Sequence, residues 1–345
     1  MGHSTMRPGL AVVWLVIGTS LHAAPAAHGA HPPAAIALPG GQLGIGFDDI
    51  GYSRTLGKVL VPAGRSGMLD LVDPATLKVM SIPGFSSTKE FDGGHDVGIT
   101  SVAAGAGLLF VTDRTSGELC VVDPATKSIV GKTPLGASPD YVRWIESTHE
   151  LWVTEPDSER IEVFHLEDGP EHRVTTSTSI TVEGGPESLI LDTKRGRAYT
   201  HVADGKTAAI DLSTRAIVTT WSNGCEEAKG IALDADRGFL FIACEAGEVR
   251  SLDAMTGKDL GSVQVGKGVD IISYSPELGH VYAPSGESGT LAILGVSRQG
   301  ALSLLGNLPS SKDSHCVAVG GKVYVGDPEH GRLLAITDPY PRSAR

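Results

Sequence analysis

The sequence predicts an all-β fold, a ring of seven four-stranded blades, and three observations predict it. A module recurs along the chain: an apolar strand opens after a polar or acidic turn, passes a short charged turn and enters a second strand near an aromatic or leucine anchor. The anchors are Leu60, Phe110, Trp152, Tyr199, Phe241, Tyr282 and Tyr324, so successive separations are 50, 42, 47, 42, 41 and 42 residues. A period near 42 residues is one propeller blade per step. A shared turn signal follows most anchors, and the first strand of the body supplies what the last module lacks.

Taken in order, blade one opens at Asp48-Asp49-Ile50 and runs through Leu60 to the LVDPATLKV segment, Leu71 to Val79. There the Asp, then Pro or a small residue, then Thr bends the backbone through side-chain hydrogen bonds, which makes a hairpin between strands three and four. Blade two opens at Gly98-Ile99 and repeats the turn as VVDPATKSIV, Val121 to Val130. Blade three opens at Asp140-Tyr141-Val142. Blade four opens at Glu187-Ser188-Leu189 and turns at AIDLSTRAIV, Ala209 to Val218. Blade five opens at Lys229-Gly230-Ile231 and turns at SLDAMTGKDL, Ser251 to Leu260. Blade six opens at Asp270-Ile271-Ile272, with Gly286 to Gly289 as its turn between strands two and three. Blade seven opens at His315-Cys316-Val317 and ends after its third strand, LLAITDPYP, Leu333 to Pro341. Its fourth strand is supplied by Ala34-Ala35-Ile36-Ala37-Leu38-Pro39-Gly40, which reads like Val79 to Gly84 and Ser128 to Gly136. Sharing one blade between the termini closes the ring and removes its exposed edge.

Composition agrees. With 44 glycines and 5% aromatic residues the chain suits short, twisted Val/Leu/Ile strands, and no window keeps a helical apolar period. Repeat units cannot bury their faces alone, so residues 27 to 345 are expected to form one domain. Residues 1 to 26 differ. Arg7 precedes the apolar run Leu10 to Ile17, and Ala24-Pro25-Ala26 offers a small-residue cleavage pattern. This is the signature of an export signal, too short to span a bilayer, and it places the mature chain in a periplasm or outside the cell, with no membrane span after its removal. A formal charge of −12 and the absence of a basic cluster argue against nucleic acid as a partner. The chain reads as a monomer.

In a propeller the residues that open each inner strand surround one mouth of the central channel. Most of the seven openings place an acid in or just before this ring: Asp48 and Asp49, His95-Asp96 upstream of blade two, Asp140, Glu187, and Asp270. Glu227 and Lys229 come from blade five and His315 from blade seven. Other turns of the same face add Asp113, Glu155, His201, Glu245 and Asp327. The expected mouth is ionisable and mostly acidic. Such a funnel suits a cation, an amine or a sugar-like guest, or a loop of another envelope protein, because converging carboxylates repel one another less once a positive group binds. The plain structural alternative is that these residues cap sheet ends. A divalent cation held by Asp49, Asp140, Glu187 and Asp270, with His95 or His315 as general base, would make a metal-assisted lactonase or related hydrolase. That reading requires the carboxylates to converge on one point.

Four cysteines occur. Cys225 in the turn into blade five and Cys244 at the end of its second strand should fall close together on one face, so an exported protein is expected to bridge them. Cys120 reads as a small apolar side chain. Cys316, beside His315, has the residue types for a soft metal but no supporting spacing. There is no Gly-x-Ser-x-Gly elbow, no C-x-x-C-H and no C-x-x-C, which removes the common signals for a serine hydrolase, an attached haem and a zinc finger.

The segment Gly224 to Leu233, with Arg237-Gly238-Phe239-Leu240-Phe241-Ile242-Ala243-Cys244, the later Val265-Gly266-Lys267-Gly268-Val269-Asp270, and the VDPATxxV turns resemble the exported YVTN-repeat (YncE-like) β-propeller family. The resemblance covers residues 34 to 340. It implies a seven-bladed propeller of the bacterial envelope that binds a partner or ligand, and it carries no catalytic set.

Overall fold

Seven four-stranded antiparallel sheets follow one another along the chain in this computed structural model, which describes residues 1–2 and 32–343. The expected export signal lies outside the described residues apart from its first two positions. Among the described residues no helix is long and apolar enough to cross a membrane.

Each expected anchor lies on the second strand of its blade, where both faces pack against neighbouring blades: Leu60 in Lys58–Pro62, Phe110 in Leu108–Asp113, Trp152 in Glu150–Glu155, Tyr199 in Arg197–Val202, Phe241 in Phe239–Cys244, Tyr282 in His280–Ser285 and Tyr324 in Val323–Asp327. All are buried, and the six aromatic anchors are among the largest fully buried side chains. Burying a side chain of this size contributes roughly 1.5–3 kcal/mol, which makes a regular row of anchors the main inter-blade adhesive.

The turn chemistry is as the residues require. Asp73 accepts from the Ala75 and Thr76 amides, Asp123 from the Ala125 amide and the Thr126 hydroxyl, Asp211 from the Ser213 and Thr214 amides, and Asp253 from the Met255 and Thr256 amides. The two irregular separations also have a place. The 50-residue step contains the long connection between Val79–Pro83 and Ile99–Gly105, and the 47-residue step contains the lengthened outer hairpin of blade three, Arg160–Leu166 with Val174–Thr181.

Ring closure comes from the N-terminal strand. Ala34–Ala37 pairs antiparallel with Arg332–Ile336, Ala34 opposite Ala335 and Ile36 opposite Leu333. Cys225 and Cys244 form a disulfide with Cα atoms 5.4 Å apart, tying the entry of blade five to its second strand. The bridge closes a loop of sequence separation 19. Replacing both cysteines by serine is expected to lower unfolding free energy by about 2 kcal/mol, read as a lower urea midpoint; an unchanged midpoint would mean that the loop is already constrained without the bond.

Candidate functional site

The mouth is built from strand openings, and one unusual loop reaches over it. Residues 84–98 connect blades one and two and carry His95 and Asp96. Buried Arg65 anchors this loop: its guanidinium donates to the carbonyls of Gly44 (2.8 Å), Thr88 (2.9 Å) and Gly40 (2.9 Å), joining the loop to the segment that follows the closing strand. Gly46 completes the join. A Cβ there would stand 1.9 Å from the Gly94 carbonyl oxygen, so only glycine lets the loop settle against the chain that leads to Asp48.

His95 is thereby brought to Asp48, with Nδ1 3.2 Å from Oδ2. Its hydrogen bond and charge attraction to Asp48 push the His95 imidazole up to about 9, so it stands protonated at neutral pH. Burial alone would raise the Asp48 carboxyl, but the His95 hydrogen bond and the charges of His95, Arg114 and His315 outweigh it and hold the group below the usual carboxylate range. Arg114 reaches Asp140 at 3.2 Å and Asp48 at 3.5 Å. Asp140 is raised well above its ordinary value by burial and then by the negative charges of Asp48 and Glu187, against the pull of Arg114. Glu187 is pushed up to about 7 by burial, with Asp270, Asp48 and Glu227 adding repulsion and Lys229 opposing it. Asp270 rises through burial and the Asp48 charge, offset by His315, His95 and Lys229. Lys229 bonds Glu227 at 3.0 Å and Glu245 at 3.5 Å. A cavity of about 440 Å³ opens among His95, Lys229, Glu245, Asp270, Glu287 and His315.

Among the acids expected at the mouth stand guanidinium groups that the sequence reading lacked. Arg114 and Arg143 were not foreseen. Arg114 directly follows Asp113 in the turn after a second strand, and Arg143 lies in the inner strand Val142–Ile145. Both positions were open to the same alignment that found the acids.

Asp49 does not join Asp48. It lies in the central channel, where Arg143 grips it with both terminal nitrogens at 2.5 and 3.2 Å, Ser101 donates to it at 2.5 Å, and the same arginine donates to the Leu189 carbonyl. Arg143 so ties blades one, three and four across a channel cavity of about 240 Å³. Asp96 is a rim residue, its side chain 90% exposed and 3.4 Å from Arg114. His95 therefore pairs with Asp48 and not with Asp96.

Four of the five additional turn residues are structural. Asp113 caps the amides of Ser86 and Ser116, Glu155 accepts from the Ala137 amide and binds Arg160, and Asp327 binds His330 and Arg332. His201 is enclosed between Thr207 and the Gly230 carbonyl. Only Glu245 reaches the mouth. Cys316 is buried, and burial raises its thiol well above the ordinary value. Cys120 is likewise buried inside blade two, its thiol pushed up to about 12.

The four carboxylates required by a lactonase do not share one point, because Asp49 and Asp140 already answer to separate arginines. His315 is a poor general base as placed: both ring nitrogens face backbone carbonyls, Asp313 at 2.6 Å and Phe47 at 2.9 Å. What does converge is His95, Asp270 and His315, whose potential ligand atoms all lie within 4.8 Å of one another.

No family model and no curated protein matches the chain. Solved structures do. A chain of the Mitotic Checkpoint Complex crystal structure is 14% identical, with a TM-score of 0.71 over 96% of this chain and 99% of that one. Kuenenia stuttgartiensis hydrazine synthase is 14% identical, TM-score 0.68, over 86% and 96%. The Myceliophteria thermophila Cps50 (Swd1) β-propeller domain is 13% identical, TM-score 0.72, over 90% and 100%. At such identities the likeness concerns the fold alone, and with seven sheets in a ring it makes the chain a seven-bladed β-propeller.

Proposed function

We propose that the chain is an exported, non-catalytic binding propeller of the YVTN-repeat (YncE-like) type, whose charged mouth takes a small polar guest in the periplasm or outside the cell. The observation that carries this reading is the meeting of opposite charges from every blade at one mouth: Asp48, Arg114, Asp140 and Glu187 beside a cavity lined by Lys229, Asp270, His315 and, from the connecting loop, His95. A guest with both donors and acceptors satisfies such a ring, and a positive group is favoured because it relieves the raised carboxyls of Asp140, Glu187 and Asp270. Binding is preferred to hydrolysis because His95 stands protonated and two of the candidate oxygen ligands are already held by arginine.

Calorimetric titration against putrescine, glycine betaine and trehalose tests the reading by charge class. We expect putrescine to bind best, and Asp140→Asn with Glu187→Gln to weaken it about tenfold or more while the thermal midpoint holds. Unaltered affinity in that double variant would place the guest on another surface.

A further inference from the structure

We propose that His95, Asp270 and His315 form a binding site for a divalent transition-metal ion at the floor of the mouth, deepening the binding reading above by giving its guest an inorganic anchor. Two imidazoles and one carboxylate are a donor set for zinc, iron, cobalt, nickel or copper, and not for calcium or magnesium, which take oxygen almost exclusively. The three side chains come from separate places in the sequence: the loop before blade two, the opening of blade six and the opening of blade seven. Their ligand atoms nevertheless lie within 4.8 Å of one another. Ligands of one tetrahedral ion with bonds of about 2.1 Å stand about 3.4 Å apart, so binding asks the side chains to close by at most about 1.4 Å.

A further observation points the same way. Each histidine has an outer partner at Nδ1: Asp48 Oδ2 at 3.2 Å for His95 and the Asp313 carbonyl at 2.6 Å for His315. Metal-bound histidines are characteristically held in this manner, because a partner that takes the Nδ1 proton turns the Nε2 lone pair towards the ion. At His315 the ion would take the place of the proton that Nε2 shares with the Phe47 carbonyl oxygen at 2.9 Å, and at His95 it would likewise displace the second ring proton. The Lys229 charge in the same cavity is balanced by Glu227 and Glu245 and so opposes a second cation only weakly.

The remaining coordination positions face the cavity of about 440 Å³ and can be taken by a guest. The ligand set differs from the all-oxygen arrangement expected from the sequence. It excludes Asp49, Asp140 and Glu187 and replaces them with nitrogen.

The test uses the whole chain carrying H3Q, H22Q, H28Q and H31Q, so that the four histidines ahead of the closing strand do not contribute. We expect Co²⁺ to bind with a visible absorption band, Zn²⁺ to displace it, and millimolar Mg²⁺ or Ca²⁺ to leave the band unaltered. His95→Gln, His315→Gln and Asp270→Asn should each weaken Co²⁺ binding about 100-fold, and Asp48→Asn about 10- to 100-fold through the outer contact. His149→Gln, remote from the mouth, should bind like the parent. Thermal midpoints in chelator identify any variant that fails to fold, and the remaining variants then decide. No cobalt band, or equal binding by the His315 and Asp270 variants, overturns the metal site. Putrescine binding that persists without any cobalt band leaves the binding function standing and removes only the metal.

Discussion

His201→Gln is expected to remove about 3 kcal/mol of acid sensitivity from the folded protein. His201 is buried at the mouth end of Arg197–Val202, and burial brings its imidazole down to about 4 from an ordinary 6.5. The network around it is saturated for the neutral ring. The Asn223 amide donates to the Thr207 hydroxyl, that hydroxyl donates to Nδ1, and Nε2–H donates to the Gly230 carbonyl. A second ring proton would displace the Thr207 donor. The sign follows from proton counts: between pH 6.5 and about 4 the unfolded chain holds a proton at this position that the native chain excludes, so stability is lost as pH falls through the window. A shift of this size at about 1.4 kcal/mol per unit corresponds to about 3 kcal/mol. Glutamine keeps one acceptor and one donor but does not titrate. Urea unfolding of the two proteins at pH 7 and pH 4 should therefore converge or cross, the variant losing less on acidification. Parallel losses would show that His201 is protonated in the native state.

Asp70→Asn should act in the opposite pH direction with nearly the same size. Asp70 lies in Met68–Val72, opposite Val61, at a position where blades two, four and six place Cys120, Ala208 and Ala292. Its side chain is fully buried. Ser81 donates to Oδ1, while Oδ2 has no hydrogen-bond partner among the described residues. Burial pushes the carboxyl up to about 6 from an ordinary 3.8, against the Ser81 hydrogen bond. Here the native chain retains a proton that the unfolded chain releases, so the stabilisation is complete below about pH 3.8 and is lost as pH rises towards 6. Above that range the ionised group costs about 3 kcal/mol. Relative to the parent, Asp70→Asn should gain about that amount between pH 3.5 and pH 8 in chemical denaturation. A stability difference that does not vary with pH would mean that water reaches Oδ2.

The two windows overlap, so the opposed dependences of His201 and Asp70 nearly cancel between about pH 4 and pH 6, and each variant should expose the slope of the other. Removing the histidine extends stability towards acid. Removing the aspartate extends it towards base.

The repeat was legible because a blade is a local object. Asp73, Asp123, Asp211 and Asp253 bond amides two and three residues away, and the anchors are spaced by strand and turn lengths, so both leave marks inside a window of some 40 residues. The closing strand and the Cys225 to Cys244 pair were readable for related reasons: one repeats the pattern of other outer strands, and the other spans 19 residues of a single blade. The mouth was legible only as a list of residue types. Strand order puts Asp48, Asp140, Glu187, Asp270 and His315 around one axis, but it does not say which charge answers which.

That choice belongs to the tertiary structure. Asp49 meets Arg143 across 94 residues and His95 meets Asp48 across 47, while the adjacent Asp96 turns outward. Coulomb attraction falls with distance in space and is indifferent to separation in sequence, so these partners are set by ring curvature and by the loop held under Arg65. The same closure decided that His201 and Asp70 must be buried where charge is costly. The amino-acid order determined the ring; its curvature determined the chemistry of the mouth.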